Sequence, residues 1–219
     1  MFNFVLVFYH SFMHDFNDKQ IQILQVAEKL FAEKGFDGTS IREISKHAKI
    51  NIAMVSYYFG SKEKLLERLI FFRTQDLKMK LENLFKEELE PIQKIEKFIE
   101  LYIEKLVQNK DMYQILHFEI SSNKRAMDLK VFTDIKKGNL QSLTKIIEEG
   151  QAKNSFKKEI NIPLLTPTIL GTYFHFHMNK PFFEEILNLD TEEKYNHYIK
   201  NELTKHIQQT IKSLLLHEN

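Results

Sequence analysis

The chain has no cysteine and little glycine or proline, and each shortage limits what it can be. Without cysteine it can hold no cysteine nucleophile, zinc finger or iron–sulfur cluster, and its composition fits a reducing compartment. Glycine occurs 6 times and proline 4 times in 219 residues, whereas helix-compatible leucine, isoleucine, lysine, glutamate and glutamine dominate. Since 43% of the residues are hydrophobic, enough for a core, the composition predicts an all-α fold.

An excess of charge of one sign is also lacking, because 31 basic residues almost balance 30 acidic ones. The net charge of +1 gives no sign of a polyanionic partner, so a case for nucleic acid must rest on local chemistry. The sequence contains no H-E-x-x-H motif, P-loop or glycine-rich dinucleotide fingerprint. We therefore expect neither an enzyme nor a bound cofactor.

Long hydrophobic runs are absent except near the N-terminus, where Met1–Met13 is apolar and aromatic. A signal peptide is one interpretation, but the run has no basic n-region and no small-residue cleavage site, and it is too short to span a bilayer. We interpret residues 1–15 as a packed or disordered arm, or as the result of an upstream start codon with Met13 as the true start. Since no other run suits a membrane helix, a cytoplasmic location is expected.

The first third of the chain carries successive helix signals with their caps. Apolar residues at helical spacing predict a helix from Asp18 to Lys34, and Gly35 ends it. An S-x-x-E capping box at Ser40 and Glu43 begins a second helix. The next two predicted helices are Ile52–Phe59, capped by Asn51, and Lys62 to about Glu90, capped by Ser61.

The remainder is predicted to be one helix after another, near residues 91–108, 111–122, 124–150, 163–178 and 192–216. The predicted breaks are Asn109-Lys110, Ser122-Asn123, Gly150 and Asn179-Lys180-Pro181, with a polar loop over Gln151–Ile162. The three short helices at the start match a helix-turn-helix, which places its second helix in the DNA major groove. Short helical pairs are common in α-proteins, so this pattern alone leaves other functions open.

The segment Thr39–Leu66, TSIREISKHAKINIAMVSYYFGSKEKLL, closely resembles the TetR family of repressors (TetR/AcrR type), as does the lead-in Ala27–Phe36, AEKLFAEKGF. Its most specific elements are the A-x-x-L-F-x-x-x-G-(F/Y) phrase and the Tyr-Phe-Gly-Ser-Lys-Glu phrase. The resemblance covers residues 18–66, and beyond them only the all-helical character agrees. It implies a helix-turn-helix DNA-binding domain over residues 16–62 and a helical-bundle ligand-binding and dimerisation domain over residues 63–219.

On this resemblance the chain is expected to be a ligand-responsive transcriptional regulator and a repressor. A homodimer would bind a pseudo-palindromic operator, and a largely apolar small molecule in the C-terminal domain would release the DNA. The alternative is a helical protein-interaction or membrane-docking module that binds no DNA. A monomeric mass in solution would favour that alternative.

Candidate DNA contacts cluster around the second and third helices. Arginine suits guanine O6 and N7, which is the role expected for Arg42. Lys62 begins the fourth helix near the hydroxyls of Tyr57 and Tyr58, and these three are expected to clamp a phosphate. The resemblance places four further residues where the recognition helix faces bases, and two more where they either reach phosphate or only cap: Asn51, Ile52, Ala53 and Met54, then Thr39 and Ser40.

Two positions depart from the family pattern. Ser56 stands where a tyrosine is frequent, and Lys49 replaces the turn glycine between the second and third helices. If Lys49 keeps a left-handed conformation, a strain of about 1 kcal/mol is expected. The basic residues here are offset by Asp37, Glu43 and Glu63, which predicts modest and strongly salt-dependent non-specific affinity.

The C-terminal half supplies candidates for a pocket and a dimer interface, although both sets also suit plain core positions. The pocket candidates are Tyr102, Leu106, Met112, Leu116, Phe118, Phe132, Tyr173 and Phe174. The interface candidates on the last two long helices are Leu164, Leu165, Leu170, Gly171, Tyr173, Ile199, Leu203, Ile207, Ile211 and Leu214. No metal site is expected, because His175 and His177 diverge by about 200° on a helix.

Overall fold

The computed structural model describes residues 16–122 and 130–217, and every regular element in these ranges is helical. The all-α fold class expected from composition is confirmed. The N-terminal arm, the choice between Met1 and Met13 and the predicted helix start at residue 124 lie outside the described residues. The remainder divides into two compact units.

The N-terminal unit comprises the described residues of Met1–Phe72 and Asp111–Asp128. Its helices are α1 (Asp18–Lys34), α2 (Ile41–His47), α3 (Ile52–Phe59), the first part of α4 (Lys62–Lys86) and nearly all of α6 (Lys110–Ser122). This division differs from the predicted domain boundary between residues 62 and 63. Apolar residues three and four positions apart supply the core, including Ile23, Ala27, Phe31, Ile44, Val55, Phe59 and Leu66.

The short helices of this unit begin where polar side chains cap them. The Ser40 hydroxyl accepts the Glu43 backbone N–H at 3.1 Å, but the Glu43 carboxylate pairs with Lys34, so only half of the predicted capping box forms. Asn51 Oδ1 accepts the Ala53 N–H at 2.9 Å, and the Ser61 hydroxyl accepts the Lys64 N–H at 3.2 Å. The predicted starts of α2, α3 and α4 are therefore confirmed with their caps.

The C-terminal unit comprises Arg73–Lys110 and the described residues of Leu129–Asn219. Besides the end of α4 it contains α5 (Pro91–Gln108), α7 (Lys130–Ala152), α8 (Ile162–Met178), α9 (Lys180–Ile186), α10 (Glu192–Tyr198), a π-helix (Ile199–Leu203) and α11 (Thr204–Leu215). Helix α5 packs against α7 and α11, and α8 packs against the same two helices. Their facing residues, including Phe98, Ile99, Ile146, Ile169, Ile207 and Ile211, form its core.

The helices of the C-terminal unit differ from the predicted ones at three places. The predicted break at Asn179-Lys180-Pro181 lasts a single residue, because proline is compatible with the first turn of a helix and α9 begins at Lys180. The predicted helix over residues 192–216 is interrupted by the π-helix Ile199–Leu203. Helix α4 also ends at Lys86 rather than near Glu90.

Lys94 of α5 is a deeply buried cation with an ion pair among the described residues of the C-terminal unit. Its side chain is 6% exposed, and its ammonium lies 2.8 Å from Glu149 of α7. The same ammonium donates to the Phe85 carbonyl at 3.2 Å. A buried charge is tolerated only when it is paired and hydrogen-bonded, so this contact ties α5 to α7.

Candidate DNA-binding surface and C-terminal cavity

The N-terminal half of α3 presents its side chains to solvent. Val55 and Phe59 are buried, whereas Ile52 is 46% exposed and Met54 is 37% exposed. Asn51 and Ala53 are exposed as well. The residues expected to face bases are therefore all accessible, because the core takes only Val55 and Phe59, which are four residues apart on α3.

The two tyrosines at the end of α3 point in different directions, as adjacent helical residues must. Tyr57 is 84% exposed, and Tyr58 is half-buried. Their rings meet edge to face at 5.5 Å. Ser56, which stands at the position where the family favours tyrosine, is exposed.

Among the candidates before α3, the structure separates Thr39 from the others. Thr39 is 1% exposed, and its hydroxyl lies 3.0 Å from the Leu30 carbonyl and 2.9 Å from that of Gly35. Of the two roles left open for Thr39, the phosphate contact does not fit the structure, because its hydroxyl is used inside the fold. Ser40 and Arg42 are exposed, so both side chains remain accessible to DNA.

Lys62 has internal partners that the sequence did not reveal. Its ammonium donates to the backbone carbonyls of Phe36 at 2.8 Å and Thr39 at 2.7 Å, and lies 4.3 Å from the centre of the Phe36 ring. These acceptors are 26 and 23 residues away in the chain, and backbone carbonyls leave no residue-type signal. Two of the three ammonium N–H groups are thus engaged, which leaves one for the expected phosphate.

The basic side chains of α2 are not neutralised as the sequence suggested. Glu43 directs its carboxylate at Lys34, and the hydrogen bond from Lys34 holds the pKa of Glu43 below its ordinary value. Arg42, Lys46 and Lys49 are exposed, and no salt bridge to any of them occurs among the described residues. Positive charge therefore accumulates on this face of the helix-turn-helix.

The predicted pocket residues do not all lie inside. Tyr102, Leu106, Phe132 and Tyr173 are buried in the C-terminal unit, and Phe174 is half-buried there. Met112 and Leu116 are buried but group with the N-terminal unit. Phe118 is 56% exposed, so its assignment to a pocket wall is wrong; aromatic character alone did not indicate which face of α6 it occupies.

An open cavity of about 850 Å³ occurs in the C-terminal unit at a place that the sequence did not indicate. It lies between α8, α9 and the segment from Tyr198 into α11, and its lining includes His175, Phe176, Phe183, Tyr198, Lys205 and His206. His175 therefore faces a cavity, whereas the His177 ring stacks on Tyr173 with centroids 5.8 Å apart. Helix α9, which supplies Phe183 to the cavity wall, was not predicted from the sequence, and for this reason the sequence did not indicate the cavity.

The predicted dimer stripe is largely core. Six of its members are at most 7% exposed and cannot contact a partner: Leu165, Tyr173, Ile199, Leu203, Ile207 and Ile211. They pack inside the C-terminal unit because α8 and α11 contact each other. In addition, α8 contacts α7 and α11 contacts α5. Leu164 and Leu214 are 57% and 46% exposed, Gly171 is exposed and Leu170 is half-buried, so these four remain candidates.

Comparison with known proteins agrees with this architecture. Residues 23–69 match the family described as "Bacterial regulatory proteins, tetR family", and residues 91–211 match "Tetracyclin repressor-like, C-terminal domain". The chain is 31% identical over 183 residues to the HTH-type transcriptional repressor NicS of Pseudomonas putida, covering 78% of this chain and 82% of that protein. Within the described residues, no helix is both long and apolar enough to cross a membrane.

Two solved structures are also similar. The haemolysin II transcriptional regulator HlyIIR is 27% identical with a TM-score of 0.57, and the similarity covers 91% of this chain and 98% of that one. The fatty acid degradation regulator FadR from Bacillus halodurans shares the fold, with a TM-score of 0.69, 20% identity and coverage of 90% and 96%. These matches are to transcriptional regulators and not to enzymes. The chain belongs to the TetR family of bacterial transcriptional regulators, with an N-terminal helix-turn-helix DNA-binding domain.

Proposed function

We propose that the chain is a ligand-responsive repressor that binds a pseudo-palindromic operator as a homodimer. The observation that carries the proposal is the exposed N-terminal half of α3, which the buried Val55 and Phe59 fix to the core. Arg42 of α2 is also exposed. A short exposed helix of this kind fits the major groove of B-DNA, where base edges are distinguishable. NicS, which is 31% identical, is named a repressor, and this supports repression rather than activation.

In this proposal the contacts divide into those that read bases and those that hold the backbone. Asn51 and Arg42 supply hydrogen-bonding groups for base edges, while Ala53 and Met54 suit thymine methyl groups. Ile52 is exposed beside them. Ser40, Tyr57, Tyr58 and the remaining N–H of Lys62 suit phosphate oxygens, which fix position without reading sequence.

The experiment that tests the proposal is selection of bound fragments from the source genome, followed by gel shift at low salt. An inverted repeat should emerge, because a two-fold dimer presents two identical readers to half-sites about 34–36 Å apart, or multiples of that. The failure of any inverted repeat to emerge would remove the central claim. A monomeric mass in solution would favour the helical interaction module instead.

Replacing Arg42 with alanine is expected to relax the preference at one base position in each half-site and to cost about 1–3 kcal/mol of binding free energy. Arg42→Lys is the matched control, since it keeps the charge but loses the bidentate geometry that selects guanine. Binding to operators substituted at each position in turn measures the effect. An equal loss on every sequence would reassign Arg42 to a backbone contact.

The proposed dimer would use an exposed apolar surface on α8, α9 and the end of α11. Leu164, Met178, Phe182, Ile186 and Leu214 are each between 46% and 62% exposed. Exposed large apolar side chains are typical of surfaces that bind a partner when they form a contiguous patch, which the proposal requires of these five. Gly171 carries no side chain on α8, and nothing lies within 4 Å of a β-carbon built there. Such a surface suits the close approach of a second copy.

The proposed effector is a largely apolar small molecule held in the C-terminal unit, and it would act through α4, which contains residues of both units. Binding that displaces α4 would change the separation of the two α3 helices, so effector and operator would compete. We expect the effector to bind about 5–150-fold more weakly to the operator complex, and operator to lose the same factor, because coupling is reciprocal. Calorimetry with and without operator measures this coupling. Equal affinities would mean that the compound is not the effector or that α4 does not couple the two sites.

A further inference from the structure

Lys49 adopts a backbone conformation that lysine rarely takes. Its φ is 51°, in the left-handed region where a β-carbon crowds the backbone. Glycine and asparagine tolerate this region best. The other described residues with positive φ are all of these two types: Gly35, Gly60, Asn154 and Asn188.

The hydrogen bonds of the turn impose this conformation. The Ile50 N–H donates to the Ser45 carbonyl at 3.0 Å, and the Lys49 N–H donates to the Lys46 carbonyl at 3.2 Å. Together they form a Schellman motif that ends α2, with residue 49 at its left-handed position. Ile50 is 9% exposed and anchors the turn in the core. Any residue at position 49 must therefore adopt this φ, and glycine would do so without strain.

The Lys49 side chain is one of three exposed basic side chains in α2 and its C-terminal turn. Arg42 and Lys46 are four residues apart in α2 and therefore share one side of it, whereas Lys49 lies in the left-handed turn that follows the helix. All three are exposed, and none forms a salt bridge within the parts of the chain that the structure describes. Lys49 is also two residues before Asn51, the cap of α3.

We propose that Lys49 is a phosphate-binding residue that contacts the DNA backbone beside the groove entered by α3. The proposal rests on the DNA binding proposed above. Strained backbone persists at functional positions when the side chain there has a use, and a flexible ammonium suits a phosphate as a point charge. The contact contributes affinity that does not depend on base sequence.

A structural explanation for Lys49 competes with this one. A cation near the C-terminal end of a helix interacts favourably with the helix dipole, so Lys49 could serve α2 alone. The two explanations predict different results for Lys49→Gly. A phosphate contact predicts weaker DNA binding, whereas a purely structural role predicts unchanged DNA binding. The thermal midpoint does not separate them, because glycine both loses the dipole contact and relieves the left-handed strain.

The test is fluorescence anisotropy with the full chain and a labelled duplex of mixed sequence, titrated between about 50 and 200 mM salt. Lys49→Gly and Lys49→Asn both remove the charge while accepting a positive φ, and Lys49→Arg keeps the charge. The salt slope is the slope of the logarithm of the binding constant against the logarithm of the salt concentration, and each neutral variant is expected to reduce its magnitude by about 0.9. Each is also expected to reduce the affinity about fivefold at about 0.15 M salt. Lys49→Arg should keep the wild-type slope.

Lys158→Ala is the matched control, since Lys158 is exposed in the C-terminal unit and its loss should leave the slope unchanged. Wild-type slopes in both Lys49→Gly and Lys49→Asn would overturn the inference while the proposed function stands. An equal fall in Lys158→Ala would also overturn it, because net charge would then explain the effect. A wild-type chain that binds neither this duplex nor any fragment of the source genome at low salt would instead refute the proposed function.

Discussion

Replacing Glu149 with alanine is expected to lower the free energy of unfolding by about 2–3 kcal/mol at neutral pH, because the buried Lys94 ammonium would lose a charged hydrogen-bond partner. The loss is large because the Lys94 ammonium stays in a buried position without its carboxylate partner. Lys94 is 6% exposed at its side chain and would lose an anion 2.8 Å away. Its remaining contacts are the Phe85 carbonyl at 3.2 Å and the Phe85 ring at 5.3 Å, neither of which carries a full negative charge.

The same contact should make stability depend on pH in a defined direction. The hydrogen bond from Lys94 is the main cause that holds the pKa of Glu149 below its ordinary value of 4.5. A carboxylate with a depressed pKa contributes stability that is fully present above pH 4.5 and is lost as the pH falls through the folded value. The difference between wild type and Glu149→Ala should therefore shrink below pH 4.5.

Urea unfolding followed by circular dichroism measures both effects. The double variant Lys94→Met with Glu149→Leu is the control, because replacing a whole buried pair by apolar residues is often neutral or stabilising. That variant should recover most of the loss and should lack the acid dependence of this pair. If Glu149→Ala unfolds at the wild-type urea concentration, Lys94 is not confined as the structure describes.

Replacing Lys62 with methionine is expected to lower the free energy of unfolding by about 2–3 kcal/mol, since it removes two hydrogen bonds from a charged donor. Methionine keeps an unbranched stem, so the loss reports mainly the ammonium, including its approach to 4.3 Å from the centre of the Phe36 ring. The carbonyls of Phe36 and Thr39 belong to the turn between α1 and α2. Without Lys62 the start of α4 is no longer tied to that turn.

Lys64→Met is the matched control, because Lys64 is exposed on the same helix and an exposed substitution usually changes stability by less than about 0.5 kcal/mol. Urea unfolding of both variants gives the comparison, and DNA titrations in salt give a second reading. If Lys62→Met unfolds like wild type but loses about one unit of salt slope, Lys62 acts on phosphate and not on the fold.

The sequence predicted the elements whose signals are local. The starts of α2, α3 and α4 followed from Ser40, Asn51 and Ser61, because a cap bonds to backbone N–H groups two or three residues away. The exposed face of α3 followed from the spacing of Val55 and Phe59. Each of these depends on residues close together in the chain, which is why periodicity and caps were sufficient.

Long-range partners explain what the sequence did not predict. The internal partners of Thr39 and Lys62 were not predicted, because their acceptors are backbone carbonyls, which look alike in any sequence. Ile207 and Ile211 form an apolar stripe that suits either a partner or the chain's own core. Only the packing of α11 on α5 and α8 shows that they face inward. Strain at Lys49 was expected from the sequence only if this residue had a left-handed conformation, and the structure shows that it has one.

The discontinuity of the N-terminal unit has a consequence for synthesis on the ribosome and for exchange between regulators. Residues from Asp111 onward in α6 group with Met1–Phe72, whereas Arg73–Lys110 group with the C-terminal unit. The residues of this unit therefore leave the ribosome in two parts, and Arg73–Lys110 of the C-terminal unit is synthesised between them. A hybrid that joins residues 1–72 to a foreign sensor would likewise separate them from the residues of α6 that group with this unit.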